Sequence, residues 1–286
     1  MLTEAIHQAN TNKNLIKMSS SETIKTVANN LYNFVDPNKV HLFVKAGQDS
    51  RSQGACPFCQ DVFMQLLIKA DDNKFNFDVI TINMDNPPKE FKELSIKPPV
   101  LFHSMTDGFT ESTPNVAILS DVDEIAEHLD KLFTNKQLAV VNQEAKNSFL
   151  NVFSKFSHYI RDVTTQASLE VELERVNKYL SKCQEDGRKF LCGDYLTKLD
   201  CSLLPRLQHI RVASEGIKRY KIPEKFTSLW RYLNNAYKSE AFQKSCPSDR
   251  EIIWHWSKTN TNNKEFLQIL QETPYKTLQI PENIQL

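Results

Sequence analysis

The residues whose types and spacing point most directly to chemistry are Cys56-Pro57-Phe58-Cys59. Two cysteines separated by two residues form a dithiol redox pair when they open a helix. A helix start exposes unpaired backbone N–H groups and the positive end of the helix dipole, and both favour a thiolate over a thiol. Pro57 fits the first helical turn, where its missing N–H costs nothing. The same spacing suits zinc, but a structural zinc site needs a second pair of ligands. Cys183, Cys192, Cys201 and Cys246 form no such pair, and the seven histidines are scattered with no His-x-x-x-His. No metal is therefore expected, and these four cysteines read as buried small hydrophobes. The plain alternative is two small residues that pack a helix start and do no chemistry.

The flanking pattern places the pair. Val40–Lys45 is a short apolar run that reads as a strand, and Pro57–Ala70 carries an apolar helical pattern. Phe75–Asn83 alternates like a strand, Pro88–Leu94 reads as a short helix, and Val100–His103 is a strand after Pro98-Pro99. A further strand lies within Gly108–Leu119, reaching Val116–Leu119, and Asp121–Leu132 is a helix capped by Ser120 or Asp121. The order β-α-β-α-β-β-α over residues 40–133 is the thioredoxin-like one, in which a proline before the third strand is cis and faces the site. Pro99 is the candidate.

Residues 1–39 are rich in Asn, Thr, Lys and Ser and read as a flexible arm with one short helix around Ile24–Leu31. Residues 134–147 read as a linker, and the pattern is helical from 148 to 257. Phe149–Asp162 and Leu169–Cys183 carry apolar and aromatic stripes that read as core. Thr197-Lys198-Leu199-Asp200 is a capping box, Pro205 predicts a kink in the helix that follows, and Phe226–Ser239 is a further helix. Residues 258–286, polar and then Pro-containing, read as a C-terminal extension that is either an extended wrap or partly disordered. The fold expected is therefore α/β followed by all-α.

With 35 basic and 35 acidic side chains the formal charge is zero, so there is no electrostatic case for nucleic acid. Six cysteines in 286 residues are too sparse for a disulfide scaffold and fit a reducing compartment. Met1–Ser21 lacks an apolar core, so no signal peptide is expected and cytoplasmic residence is the default.

Longer segments carry a resemblance. Phe43-Val44-Lys45-Ala46-Gly47, Cys56-Pro57-Phe58-Cys59-Gln60 and Phe63-Met64 resemble the chloride intracellular channel family, in an invertebrate-type form. So do Phe153 to Ile160, Phe190-Leu191-Cys192-Gly193-Asp194, Asp200-Cys201, Leu203 to Leu207, Ile222-Pro223, Tyr232 to Tyr237 and Ser245-Cys246-Pro247. The matches are in order, and the resemblance covers roughly Val40 to Trp256. The resemblance implies a monomeric glutathione-transferase fold similar to the omega class, with glutathione as co-substrate of a thiol–disulfide oxidoreductase. It implies that Cys56 forms the mixed disulfide, with Cys59 as an optional resolving thiol, since many members carry serine there. It implies that Pro57 and Phe58 flank the tripeptide, that the backbone of Val100 beside Pro99 holds its cysteinyl part, and that Ser120 and Asp121 hold its γ-glutamyl end. A helix start with a hydroxyl suits a carboxylate, and Asp121 suits an amino group. Lys45 is a further candidate neighbour, or an ordinary solvated lysine. Asp61 departs from a supportive pattern, because its charge in the first turn opposes a thiolate at Cys56.

The family is also credited with entering membranes and conducting anions, which makes membrane lipid a further implied partner. The segment concerned is roughly Cys56–Ile82. A spanning helix needs about 20 mostly apolar residues, yet Val62–Ile82 contains Gln65, Lys69, Asp71, Asp72, Asn73, Lys74, Asn76 and Asp78. Each central charge costs about 2.5–3.5 kcal/mol, so a helix followed by a buried strand explains the segment better. Two rival readings stand beside the oxidoreductase. One is a redox-switched anion channel, and the other is a non-enzymatic module that binds cytoskeletal or signalling proteins through an inert Cys56.

Overall fold

Val40–Lys45 (β1) sends alternate side chains to opposite faces of a sheet, as strand geometry requires. Val40, Leu42 and Val44 join the main core, whereas Phe43 packs with Ile82, Phe91, Val100 and Phe102 on the other face. The computed structural model describes residues 39–73, 75–93, 96–104, 116–134, 138–257, 264–282 and 284. The short helix expected around Ile24–Leu31 and the stretch from Gly108 to Asn115 lie outside the described residues.

The sheet has four strands in the order β2-β1-β3-β4, with Phe77–Ile82 as β2, Val100–Ser104 as β3 and Val116–Leu119 as β4. β1 and β2 are parallel, joined through the helix Pro57–Asn73 (α1), while β3 runs antiparallel to both β1 and β4. The short helix Lys89–Glu93 (α2) places Phe91 edge-on to Phe43, centroids 5.2 Å apart, and covers the outer face. Val122–Leu132 (α3) packs on the inner face through Ile125, Ala126 and Leu129.

α1 has no solvent stripe of the usual kind. It packs against β1 and α3 on one side, and on the other against Lys198–Lys218 (α7) and Glu240–Ser245 (α9) of the helical half. Apolar Val62, Met64, Leu66 and Ile68 are buried, but so are Gln60, Asp61, Gln65 and Lys69. Lys69, 0% exposed, reaches Asp130 Oδ1 and the carbonyl of Phe133, each at 2.8 Å.

The helical half comprises Gln143–Ser148 (α4), Val152–Ile160 (α5), Gln166–Glu185 (α6), α7, Thr227–Tyr237 (α8), α9 and Asp249–Trp256 (α10). Two expectations are corrected, on the linker and on the C-terminal segment. Residues 143–147 are helical rather than linker, because Asn142 caps α4 by accepting from the Ala145 N–H at 3.0 Å. Pro205 lies inside α7, where its ring nitrogen cannot donate to the carbonyl of Cys201. Within 258–286, Lys264–Glu272 forms a further helix (α11), and Leu278 and Ile280 pack against the core.

Candidate functional site

Cys56 is the N-cap residue of α1: its carbonyl accepts from the Gln60 N–H at 3.0 Å, and its own N–H donates to Gly54 O at 3.0 Å. The loop that delivers it folds back on β1, where the Gly54 N–H donates to Lys45 O at 2.8 Å. A Cβ on Gly54 would lie 2.4 Å from Ala46 O, so only glycine permits this approach. An N-cap side chain sits over the N–H groups of the second and third helical residues, here Phe58 and Cys59.

The electrostatics of the pair follow from that placement. The thiol of Cys59 hydrogen-bonds to Cys56, and the N–H groups of Cys59 and Phe58 and the Lys45 charge add to it; against the cost of burial, these lower the Cys56 thiol to about 7. Cys59 is fully buried, and burial first, then Cys56 itself, hold its thiol well above the ordinary range. Cys59 Sγ accepts the Lys45 backbone N–H at 3.5 Å. One sulfur is thus set up to attack and the other to donate.

Beside this pair lies a cleft of about 500 Å³ between the two halves. Phe58, Pro98, Pro99, Ser120 and Asp121 wall it from the α/β half, and Phe149, Leu150, Leu199 and Ser202 from the helical half. The Pro98–Pro99 bond is cis. Of the residues singled out from sequence, Phe58, Pro99, Ser120 and Asp121 share this cleft, while Cys56, Pro57 and Val100 are chain neighbours of its wall. Val100 buries its side chain among Phe43, Phe91 and Phe102, so only its backbone is available to a ligand. Asp121, rather than Ser120, caps α3: its Oδ1 accepts the N–H groups of Asp123 at 2.8 Å and Glu124 at 3.1 Å.

Asp61 corrects an expectation. It is 3% exposed, and burial raises its carboxyl to about 7, opposed by the Gln65 hydrogen bond and the charges of Arg206 and Lys198. At neutral pH its charge is only partly formed and faces two cations, so it opposes the Cys56 thiolate less than a solvated aspartate would. Lys97, Lys146, Lys198 and Arg206 also line the cleft. Lys198 lies in the capping box and Arg206 in the segment Leu203 to Leu207, but neither was read as part of a site, because Lys146, Lys198 and Arg206 come from the helical half and reach the cleft only through the fold. Among the described residues, no group of three or more His, Cys, Asp or Glu is arranged to hold a metal, and no helix is long and apolar enough to cross a membrane.

Residues 38–113 match the CLIC-like N-terminal domain family. Across 273 residues the chain is 32% identical to the chloride intracellular channel Clic of Drosophila melanogaster, covering 93% of this chain and 99% of that protein. The chain belongs to the chloride intracellular channel family. Its structure is similar to that of the CLIC homologue EXC-4 from C. elegans, with TM-score 0.71 and 28% identity over 87% of this chain and 96% of that one. It is also similar to the dehydroascorbate reductase of Chlamydomonas reinhardtii, with TM-score 0.62 and 25% identity over 78% of this chain and 99% of that one. The glutathione transferase Omega 1C of Trametes versicolor shares the fold, with TM-score 0.57 and 17% identity over 79% of this chain and 98% of that one. The fold is thus the glutathione-transferase fold in a member of the channel family.

Proposed function

We propose that this family member is a glutathione-dependent thiol–disulfide oxidoreductase in which Cys56 is the attacking thiol. The observation that carries the reading is the N-cap position of Cys56, where the Cys59 thiol and two backbone N–H groups lower its thiol to about 7 beside an open cleft. The Cys56 thiolate attacks one sulfur of a disulfide. A new S–S bond forms as the old one breaks, and the departing thiolate takes a proton from solvent. A glutathione thiolate then attacks the substrate-derived sulfur of that mixed disulfide, releasing the Cys56 thiolate and a glutathione–substrate disulfide. Cys56 attacks the glutathione sulfur of the latter, and the second substrate thiolate leaves and is protonated. A second glutathione thiolate attacks the glutathione sulfur on Cys56 to give glutathione disulfide and the free Cys56 thiolate. Two electrons pass from two glutathiones to one disulfide.

In this reading Ser120 and Asp121 receive the γ-glutamyl end, and the strand backbone at Val100 beside Pro99 receives the cysteinyl part. Likeness to a solved dehydroascorbate reductase supports testing that substrate too. The test is glutathione-dependent reduction of hydroxyethyl disulfide and of dehydroascorbate by the natural chain, Cys56→Ala and Cys59→Ala. Activity lost in Cys56→Ala and retained in Cys59→Ala is the expected result. Turnover no faster than the uncatalysed background would refute the enzyme reading.

A further inference from the structure

The cleft contains a guanidinium without a conventional partner. Arg206 projects from α7, with Cζ 5.7 Å from the ring centroids of both Phe58 and Phe153. It is half-buried, with burial pushing its pKa down and the Asp61 charge opposing that shift. Among the described residues it makes no hydrogen bond and no close ion pair. In the same half Arg188 bonds Leu191 O at 2.9 Å and Asp186 Oδ2 at 2.7 Å, and Arg175 bonds Glu172 Oε2 at 2.9 Å, whereas Arg161, on the surface, has a ring contact with Trp256.

A guanidinium offers five N–H donors in a fork that fits a carboxylate, and here the Asp61 charge acts on it without accepting any of them. Its ring contacts hold it in place without using those donors. The acidic groups of the cleft are otherwise engaged: Asp121 caps α3, Asp123 pairs with Lys198, and Asp61 bonds Gln65 at 2.9 Å. Phe58, at 44% exposure, and Leu150, at 60%, give the cleft an apolar margin beside the cation.

We propose that Arg206 selects the disulfide partner of Cys56 by binding a carboxylate on it. The substrate class is then small disulfides that carry a carboxylate next to an apolar or aromatic body, the body resting on Phe58 and Leu150. This rests on the oxidoreductase reading and adds its specificity. The chemical step is unchanged: Cys56 attacks the nearer sulfur, and the carboxylate-bearing half or its partner leaves as a thiolate.

The test compares single-turnover attack by Cys56 on two aromatic disulfides, dithiobis(nitrobenzoate), a dianion, and dithiodipyridine, which is uncharged. The full chain is used, and the released chromophore is followed by stopped flow. Dividing one rate by the other cancels changes in Cys56 ionisation or exposure. Arg206→Gln is expected to lower the anion-to-neutral ratio at least about tenfold, the scale of a lost charge-assisted hydrogen bond, and Arg206→Lys to restore most of it. An unchanged ratio in Arg206→Gln overturns the proposal, even with glutathione turnover intact. So does a raised KM for glutathione with no change in ratio, since the carboxylate would then be glutathione's own. A shifted ratio without glutathione turnover in the natural chain supports the anion site and refutes only the catalytic cycle. Where Arg206→Gln exposes the buried cysteines to titration, Arg206→Met, which keeps an apolar stem against Phe58 and Phe153 and also removes the charge, takes its place, with the same lowered ratio expected and the same unchanged ratio overturning the proposal.

Discussion

Cys56 and Cys59 are the same chemical group in two environments three residues apart. Alkylation of Cys56 by iodoacetamide should therefore follow a midpoint near pH 7, falling about tenfold per pH unit below it and levelling above. Cys59→Ala removes the largest favourable contribution, and the midpoint should move upward. Asp61 gives a pH dependence of the opposite kind. Its carboxyl titrates near 3.8 unfolded and near 7 folded, so the folded chain holds the extra proton between those values. Stability from this group is thus full below about pH 4, declines as pH rises to 7, and stays low above. Asp61→Asn should flatten that slope and raise the urea midpoint at pH 8, the gain being at most roughly 4 kcal/mol. The cysteine pair was legible because its helix start is local in sequence. The states of Asp61 and Arg206 were not, because α7 of the other half creates them by covering α1.

Elements place these residues through their ends. The capping box read from Thr197 to Asp200 is present, but Asp200 does more than the motif announces. Its carboxylate accepts from the Leu191 N–H at 2.9 Å, the Thr197 N–H at 2.9 Å, the Thr197 hydroxyl at 2.8 Å and the Tyr232 hydroxyl at 2.9 Å. Asp200→Ala leaves several buried donors without an acceptor and should cost about 3 kcal/mol or more in a denaturation experiment. Asp121→Ala, which uncaps α3 at the surface, should cost only about 1 kcal/mol; under the proposed function it should also raise the KM for glutathione. The strand and helix order was legible from alternation and helical spacing. The helix at 143–148 was not, since six mostly polar residues give no stripe, and its only sign was the capping Asn142.

At the scale of the molecule, α1 belongs to both halves at once. Its buried faces meet the sheet on one side and α7 and α9 on the other. Calorimetry should accordingly show one transition rather than two, and Lys69→Ala, which breaks a buried charge pair, should lower its midpoint by an amount equivalent to about 3 kcal/mol. This arrangement was only half legible: the two-part layout shows in the sequence, but nothing local tells that Gln60, Asp61, Gln65 and Lys69 of α1 are buried, because elements distant in sequence cover them. Asp130 adds a consequence for dissecting the chain. Besides Lys69, its carboxylate receives the Leu138 N–H at 2.9 Å and the Ala139 N–H at 2.8 Å, both beyond the last helix of the α/β half. Cutting the chain after Phe133 removes those two donors and strips the cover from Gln60, Asp61 and Gln65. The severed piece would carry the reactive pair on a helix with a wet, polar flank, so reactivity measured on the isolated half would describe a different thiol.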